Sequence, residues 1–193
     1  MLLTAALESI LQSLLIEDKY LRTYRRSISF GQNIQKDLIP LLIHTKDDKT
    51  VELLIKILVN LTIPVECLLS VETIGKTDIG RHTIFEINNL LSSTKIAITD
   101  HRATKVIIDF LKKNAETDQK AKLSTEQCTN ISNTLLFLRN ILHIPEDINC
   151  LNATYGGPPH TIQNQLLWNL FSQSIDKVLI KLMTIPDAVS DCK

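Results

Sequence analysis

The stretch that decides the fold is Thr50-Val-Glu-Leu-Leu-Ile-Lys-Ile-Leu-Val-Asn-Leu61. Its strongly polar side chains, Glu52, Lys56 and Asn60, lie four residues apart, so they share one narrow stripe of a helix that turns about 100° per residue. Apolar residues cover the rest of the helix surface, which predicts that other helices enclose it on three sides. This is typical of an inner helix of a layered α-solenoid. We therefore expect the stripe to remain open to solvent and to bind partner proteins.

Length and composition agree with a helical core. The chain has 193 residues, of which 44% are hydrophobic and 22% charged, with 5 Gly and 6 Pro. A chain of this size can bury roughly 70% of its unfolded surface, and this composition favours neither disorder nor a loop-rich β fold. The formal net charge is +0, which argues against binding to nucleic acid or to an anionic membrane through the chain as a whole.

The sequence carries no pattern typical of an enzyme. Residues 70–77 read S-V-E-T-I-G-K-T, but Ser70 stands where a phosphate-binding loop needs Gly and no strand precedes it. The four cysteines form no C-x-x-C pair, which argues against a zinc site. No stretch approaches the roughly 18 apolar residues of a membrane span. We predict no catalytic residue, no cofactor, no metal and no membrane contact.

Periodicity and punctuation predict helices through most of the chain. Residues 3–15 form an amphipathic first helix, and Asp37 is expected to cap a short helix with Pro40 in its first turn. Ser124 and Gln127 have the spacing of a capping box. Further helices are predicted over residues 17–30, ending at Gly31, and over residues 64–71, 79–92, 100–114, 124–143 and 161–184. Loops are predicted over residues 116–122 and 145–160.

The polar stripe recurs on later helices. Arg139, Asn140 and His143 share one side of their helix, and Gln165 and Asn169 share one side of another. An asparagine both donates and accepts hydrogen bonds, so a ladder of such residues could hold the backbone of a bound peptide. The alternative is that these asparagines are solvated or link neighbouring helices.

The spacing of two such segments supports a repeat. Residues 59–61 and 139–141 each place Asn between apolar or basic neighbours, and their separation of 80 residues is about two armadillo or HEAT repeats of roughly 40 residues. The predicted fold class is therefore all-α, an armadillo/HEAT-like α-solenoid of packed helices.

A basic patch is predicted near the start of the chain. Lys19, Arg22 and Arg26 are spaced i, i+3 and i+7, so they would lie on one helix face and could meet phosphates or an acidic partner segment. Three cations without neighbouring aromatic residues are also typical of an ordinary solvated face. We do not expect this patch to bind DNA directly.

Several blocks of sequence, in order along the chain, carry a family resemblance. They are residues 21–26, 30–33, 37–42, 47–49, 58–67, 81–86, 138–145, 167–171 and 174–177. Together they resemble the N-terminal domain of Timeless proteins. The resemblance implies an armadillo-like helical domain over residues 1–186, incomplete at both ends, followed by a disordered tail over residues 187–193.

Two branches of that family are compatible with these blocks. Residues 21–33, 65–67 and 77–91 are more similar to the insect circadian branch, which implies binding to Period, negative feedback on clock transcription and light input through cryptochrome. The replication-fork branch is the alternative and implies a fork-protection factor that acts with Tipin and other replication-fork proteins in checkpoint signalling. Both readings imply a non-enzymatic scaffold, and the circadian one implies a protein found in the nucleus and the cytoplasm.

Overall fold

The computed structural model of the chain describes residues 2–70, 74–116, 123–146 and 160–185. Within these residues the fold is all-α, which confirms the predicted class, and its packed helices are consistent with a solenoid-like arrangement. One π-helical turn, Ile34–Leu38, precedes α3. The α-helices are α1 (Leu2–Ile16), α2 (Thr23–Gly31), α3 (Ile39–His44), α4 (Asp48–Leu61), α5 (Val65–Leu68), α6 (Asp78–Ile98), α7 (His101–Asn114), α8 (Thr125–His143), α9 (Thr161–Ser172) and α10 (Ile175–Met183).

Helix α4 lies at the centre of the core. Asp47 fixes its N-terminus, because the Asp47 carboxylate accepts a hydrogen bond from the Thr50 N–H at 3.0 Å. The aliphatic side chains of α4 are buried, and α1, α3, α7 and α8 pack around it. This confirms that the helix is enclosed. Each buried Val, Leu or Ile stabilises the fold by about 1.5–3 kcal/mol relative to an exposed one, so α4 contributes strongly to hydrophobic stability.

The later helices surround and extend this core. The carboxylate of Asp100 accepts a hydrogen bond from the Arg102 N–H at 2.8 Å and so caps α7. Helix α8 begins with the predicted capping box, in which the Ser124 hydroxyl accepts from the Gln127 N–H at 3.1 Å and the Gln127 side chain accepts from the Ser124 N–H at 2.9 Å. Helix α9 packs on α6 and α7, and α10 packs on α7 and α9.

The prediction of one helix over residues 17–30 is wrong in its first part. The Asp18 carboxylate accepts hydrogen bonds from the backbone N–H groups of residues 21–23 at 2.5 to 3.0 Å, which folds this segment into a turn. Arg22 then has a φ of 49°, a left-handed conformation that cannot continue a helix. The helix ends one residue later than predicted, because Gly31 is its last residue and Gln32, with a φ of 54°, stops it.

The prediction of a cap at Asp37 is also wrong. Asp37 lies inside the π-helical turn, and α3 follows that turn without an extended capping residue. The Asp37 carboxylate accepts a hydrogen bond from the Asn33 side chain at 2.8 Å instead. Pro40 does lie in the first turn of α3, as predicted.

Three other predicted helices have different lengths. The helix predicted over residues 79–92 continues to Ile98, while the one predicted over residues 64–71 shortens to α5. The helix predicted over residues 161–184 is two helices, because Ser174 has a φ of 61° and interrupts it.

Parts of the sequence-based interpretation lie outside the described residues. These are the tail over residues 187–193 and most of the two predicted loops. The domain range 1–186 therefore stays a prediction. Across the described ranges, every helix is too short or too polar to cross a membrane.

Candidate functional site

The first candidate site is the polar stripe of α4. Its three residues lie in line, as predicted: Lys56 Nζ is 2.5 Å from Glu52 Oε1, and the Asn60 side chain donates to the Lys56 carbonyl at 2.9 Å. Lys49 Nζ lies 3.5 Å from the other Glu52 oxygen. However, Glu52 is buried and both lysines pair with it, so the expectation of an open stripe is wrong at Glu52. Lys56 and Asn60 are half-buried.

The second candidate stripe, on α8, is divided between surface and core. Arg139 and His143 are exposed, whereas Asn140 is buried. The Asn140 side chain donates to the Thr62 hydroxyl at 3.4 Å and accepts from Arg139 at 3.2 Å, so it links α8 to the end of α4. The prediction that Asn140 faces a peptide groove is wrong, because its amide is used between helices.

The third candidate stripe, on α9, shows the same division. Gln165 is exposed, but Asn169 is buried and its side chain donates to the Thr99 carbonyl at 2.7 Å. Gln173 donates to the Thr104 hydroxyl at 3.0 Å and so attaches the end of α9 to α7. Asn169 links neighbouring helices, which was the alternative reading of these asparagines.

Several polar side chains bond to the C-terminal ends of neighbouring helices, which the sequence did not reveal. Several carbonyls at the C-terminal ends of helices lack a partner in their own helix and are bonded by a side chain from another element. Arg25 donates to the Asn60 carbonyl at 2.9 Å at the end of α4, and Lys95 donates to the Ile144 carbonyl at 2.5 Å at the end of α8. A cation is favoured there because the helix dipole leaves partial negative charge at this end.

The predicted basic patch does not form as a helix face. Arg22 donates to the Leu68 carbonyl at 2.8 Å, and Arg26 forms an ion pair with Glu86 of α6. Both guanidinium groups therefore hold the fold together. Of the three, only Lys19 is exposed, on the connection before α2.

A buried ion pair joins α6 to the residues that follow α8. Lys95 Nζ lies 3.8 Å from Glu146 Oε1, and both side chains are almost fully buried. Glu146 also accepts a hydrogen bond from the Gln163 N–H in the first turn of α9. Burial lowers the pKa of Lys95, and the Glu146 charge partly opposes that effect. Among the described residues, no three His, Cys, Asp or Glu side chains are grouped so that they could hold a metal ion.

Large exposed apolar side chains are found in two regions. Tyr20, Leu21 and Ile79 line a groove of about 540 Å³ between the α1–α2 connection and the start of α6. On α9, which contains no charged residue, Trp168 and Phe171 are exposed. Exposed aromatic residues of this kind are enriched in protein interfaces. The accessible surface therefore differs from the polar stripes that the sequence indicated.

Comparison with known proteins gives the family. The protein family described as "Timeless protein" matches residues 3–191 of this chain. The chain belongs to the Timeless family. It is 54% identical over 185 residues to "Protein timeless" of Drosophila melanogaster, which covers 94% of this chain. It is 27% identical over 162 residues to "Protein timeless homolog" of Homo sapiens, which covers 83% of this chain.

These relatives are much longer than the chain, which spans 13% of the length of each of the two. The identity to the fly protein is twice that to the human protein, which supports the insect branch of the Timeless family. The resemblance predicted from the sequence blocks is therefore confirmed.

Proposed function

We propose that this Timeless-family chain is a non-enzymatic interaction scaffold of the circadian clock. It binds Period, takes part in negative feedback on clock transcription and receives light input through cryptochrome. The observation that carries this proposal is the 54% identity to the fly protein over 94% of the chain, against 27% to the human homologue. Such a scaffold would act in both the nucleus and the cytoplasm.

The architecture supports a binding role. Most titratable side chains that the sequence offered as a site are ion-paired or hydrogen-bonded within the fold. Large apolar and aromatic side chains, such as those of Trp168 and Phe171, remain exposed on the helices. Surface of this kind suits recognition of another protein.

The proposal is tested by capture on the immobilised full chain. Purified Period should be retained, and purified cryptochrome should be retained more strongly after illumination than in the dark. Tipin serves as the matched control partner. Retention of Tipin without Period would overturn the circadian assignment in favour of fork protection.

A further inference from the structure

We propose that the groove beside Lys19 binds a partner segment in which a bulky apolar residue lies next to acidic residues. This Lys19 groove is lined by Lys19, Tyr20 and Leu21 from the α1–α2 connection and by Ile74, Thr77 and Ile79 around the start of α6. The inference rests on the proposed function, because it names the kind of partner sequence that such a scaffold would hold.

The groove has the size and chemistry of a side-chain pocket. Its volume of about 540 Å³ lies within the range of small binding sites, which is roughly 300–1,000 Å³. Tyr20 and Ile79 are 77% and 65% exposed, so they offer apolar surface that nothing within the described residues covers. An apolar side chain of a partner would remove that surface from water.

The walls of the groove are fixed by local hydrogen bonds. The Asp18 carboxylate holds the N–H groups of residues 21–23, and Arg22 attaches the same connection to the Leu68 carbonyl. On the other side, the Thr77 hydroxyl accepts from the Gly80 N–H at 3.0 Å. A Cβ on Gly80 would lie 1.8 Å from the Ile74 carbonyl oxygen, so glycine permits this close approach. A preformed groove loses little conformational entropy when a partner binds.

The charges around the groove favour an acidic partner. Among the described residues, the carboxylates nearest in sequence to the lining are those of Glu17, Asp18 and Asp78. Each is occupied, Glu17 by Arg25, Asp18 by backbone N–H groups and Asp78 by Arg81. Lys19 and Lys76 are exposed and make no ion pair within the described part of the chain. Lys19 lines the groove, and Lys76 precedes the lining residue Thr77 in sequence. Their positive charges are complementary to carboxylates that flank an apolar side chain.

Three fluorescent peptides test this proposal by anisotropy on the full chain. The probe is Glu-Glu-Leu-Trp-Glu-Glu, and its controls are Lys-Lys-Leu-Trp-Lys-Lys, which reverses the charge, and Glu-Glu-Ser-Ser-Glu-Glu, which removes the apolar residues. We expect only the first to bind measurably. Equal binding of either control would overturn the proposal, because charge and apolar contact are both required.

Substitutions test whether the acidic probe binds in the Lys19 groove. Lys19→Gln should weaken binding of the acidic probe about threefold, as expected for one exposed charge pair. Ile79→Ser should weaken it more, and Lys177→Gln, at an exposed lysine of α10, should leave it unchanged. Unchanged binding in both groove variants would overturn the site. Capture of Period by the unmodified chain is measured separately, so failure of the groove and failure of the proposed function give different results.

Discussion

Arg25, on α2, bonds both the connection that precedes α2 and the C-terminal end of α4. Its side chain is 2% exposed, lies 2.5 Å from Glu17 and donates to the Asn60 carbonyl at 2.9 Å. Glu17 is itself buried and also lies 3.6 Å from Arg22. The pair therefore joins the connection before α2 to the C-terminus of α4, where a positive charge is favoured.

Replacing Arg25 by Met should destabilise the protein strongly. The substitution leaves the Glu17 carboxylate buried with a weaker partner, and breaking a buried pair from one side costs about 3–5 kcal/mol. Urea unfolding followed by circular dichroism measures this change. Arg102→Gln is the matched control, because Arg102 pairs with Asp100 at the surface and such pairs contribute about 0–1 kcal/mol. Equal effects of the two substitutions would contradict this account of Arg25.

The contribution of Asp18 to the stability of the fold should depend on pH. Desolvation acts to raise its pKa, but hydrogen bonds from the Thr23 hydroxyl and from the backbone N–H groups of residues 21–23 outweigh this and hold the pKa far below its ordinary value. A carboxylate whose pKa is lower in the folded than in the unfolded state stabilises the fold above the unfolded pKa. That contribution is lost as the pH falls toward the folded pKa.

Asp18→Asn should therefore reduce stability at pH 6, and the difference from the parent chain should narrow as the pH falls to 3. Thermal melts at several pH values measure this difference. Asp176→Asn is the control, since Asp176 is exposed and accepts no hydrogen bond in the described structure. A difference that stays constant from pH 6 to pH 3 would show that the Asp18 carboxylate does not hold this turn.

At the scale of elements, the sequence predicted helices better than their connections. The apolar pattern of α4 and the capping box of α8 follow from local spacing, and the structure confirms both. The breaks at Arg22 and Ser174 were missed because both residues have left-handed backbone without being glycine. Neither residue type marks such a break in a sequence.

The sequence does not show that the asparagines of the polar stripes on α8 and α9 are buried, because the residues that they bond to are distant in the chain. Asn140 bonds to Thr62 and Asn169 bonds to Thr99, which are separated by 78 and 70 residues. Helical spacing places such side chains on a face but does not show which element covers that face. Only the packed arrangement reveals that they hold helix ends rather than a bound peptide.

The attachment of α9 should depend on the pair of Lys95 and Glu146. Lys95→Met leaves Glu146 buried with an unpaired charge and should destabilise the protein by about 3 kcal/mol. The double substitution Lys95→Met with Glu146→Gln should be less harmful, because a neutral glutamine can still accept the Gln163 N–H. Urea unfolding of both variants gives the two free energies. A double variant at least as unstable as Lys95→Met alone would contradict the pairing.

The whole molecule combines a covered core with an exposed apolar face on α9. Trp168 is 75% exposed, whereas Leu170, two residues later, is buried against the other helices. The same helix therefore carries both a stabilising face and a face that folding leaves in water. Because Trp168 is the single tryptophan of the chain, its fluorescence reports directly on that outer face.

Replacing Trp168 and Phe171 together by Gln should change the free energy of unfolding by no more than about 0.5 kcal/mol, since exposed side chains contribute little to the core. Leu170→Ala is the matched control on the same helix and should cost about 2–5 kcal/mol, because it leaves a cavity. Urea unfolding followed by circular dichroism measures both, and iodide should quench Trp168 strongly in the dilute parent chain. A large loss of stability in the Trp168 and Phe171 variant, or weak quenching, would mean that this face is packed against other parts of the molecule rather than available to a partner.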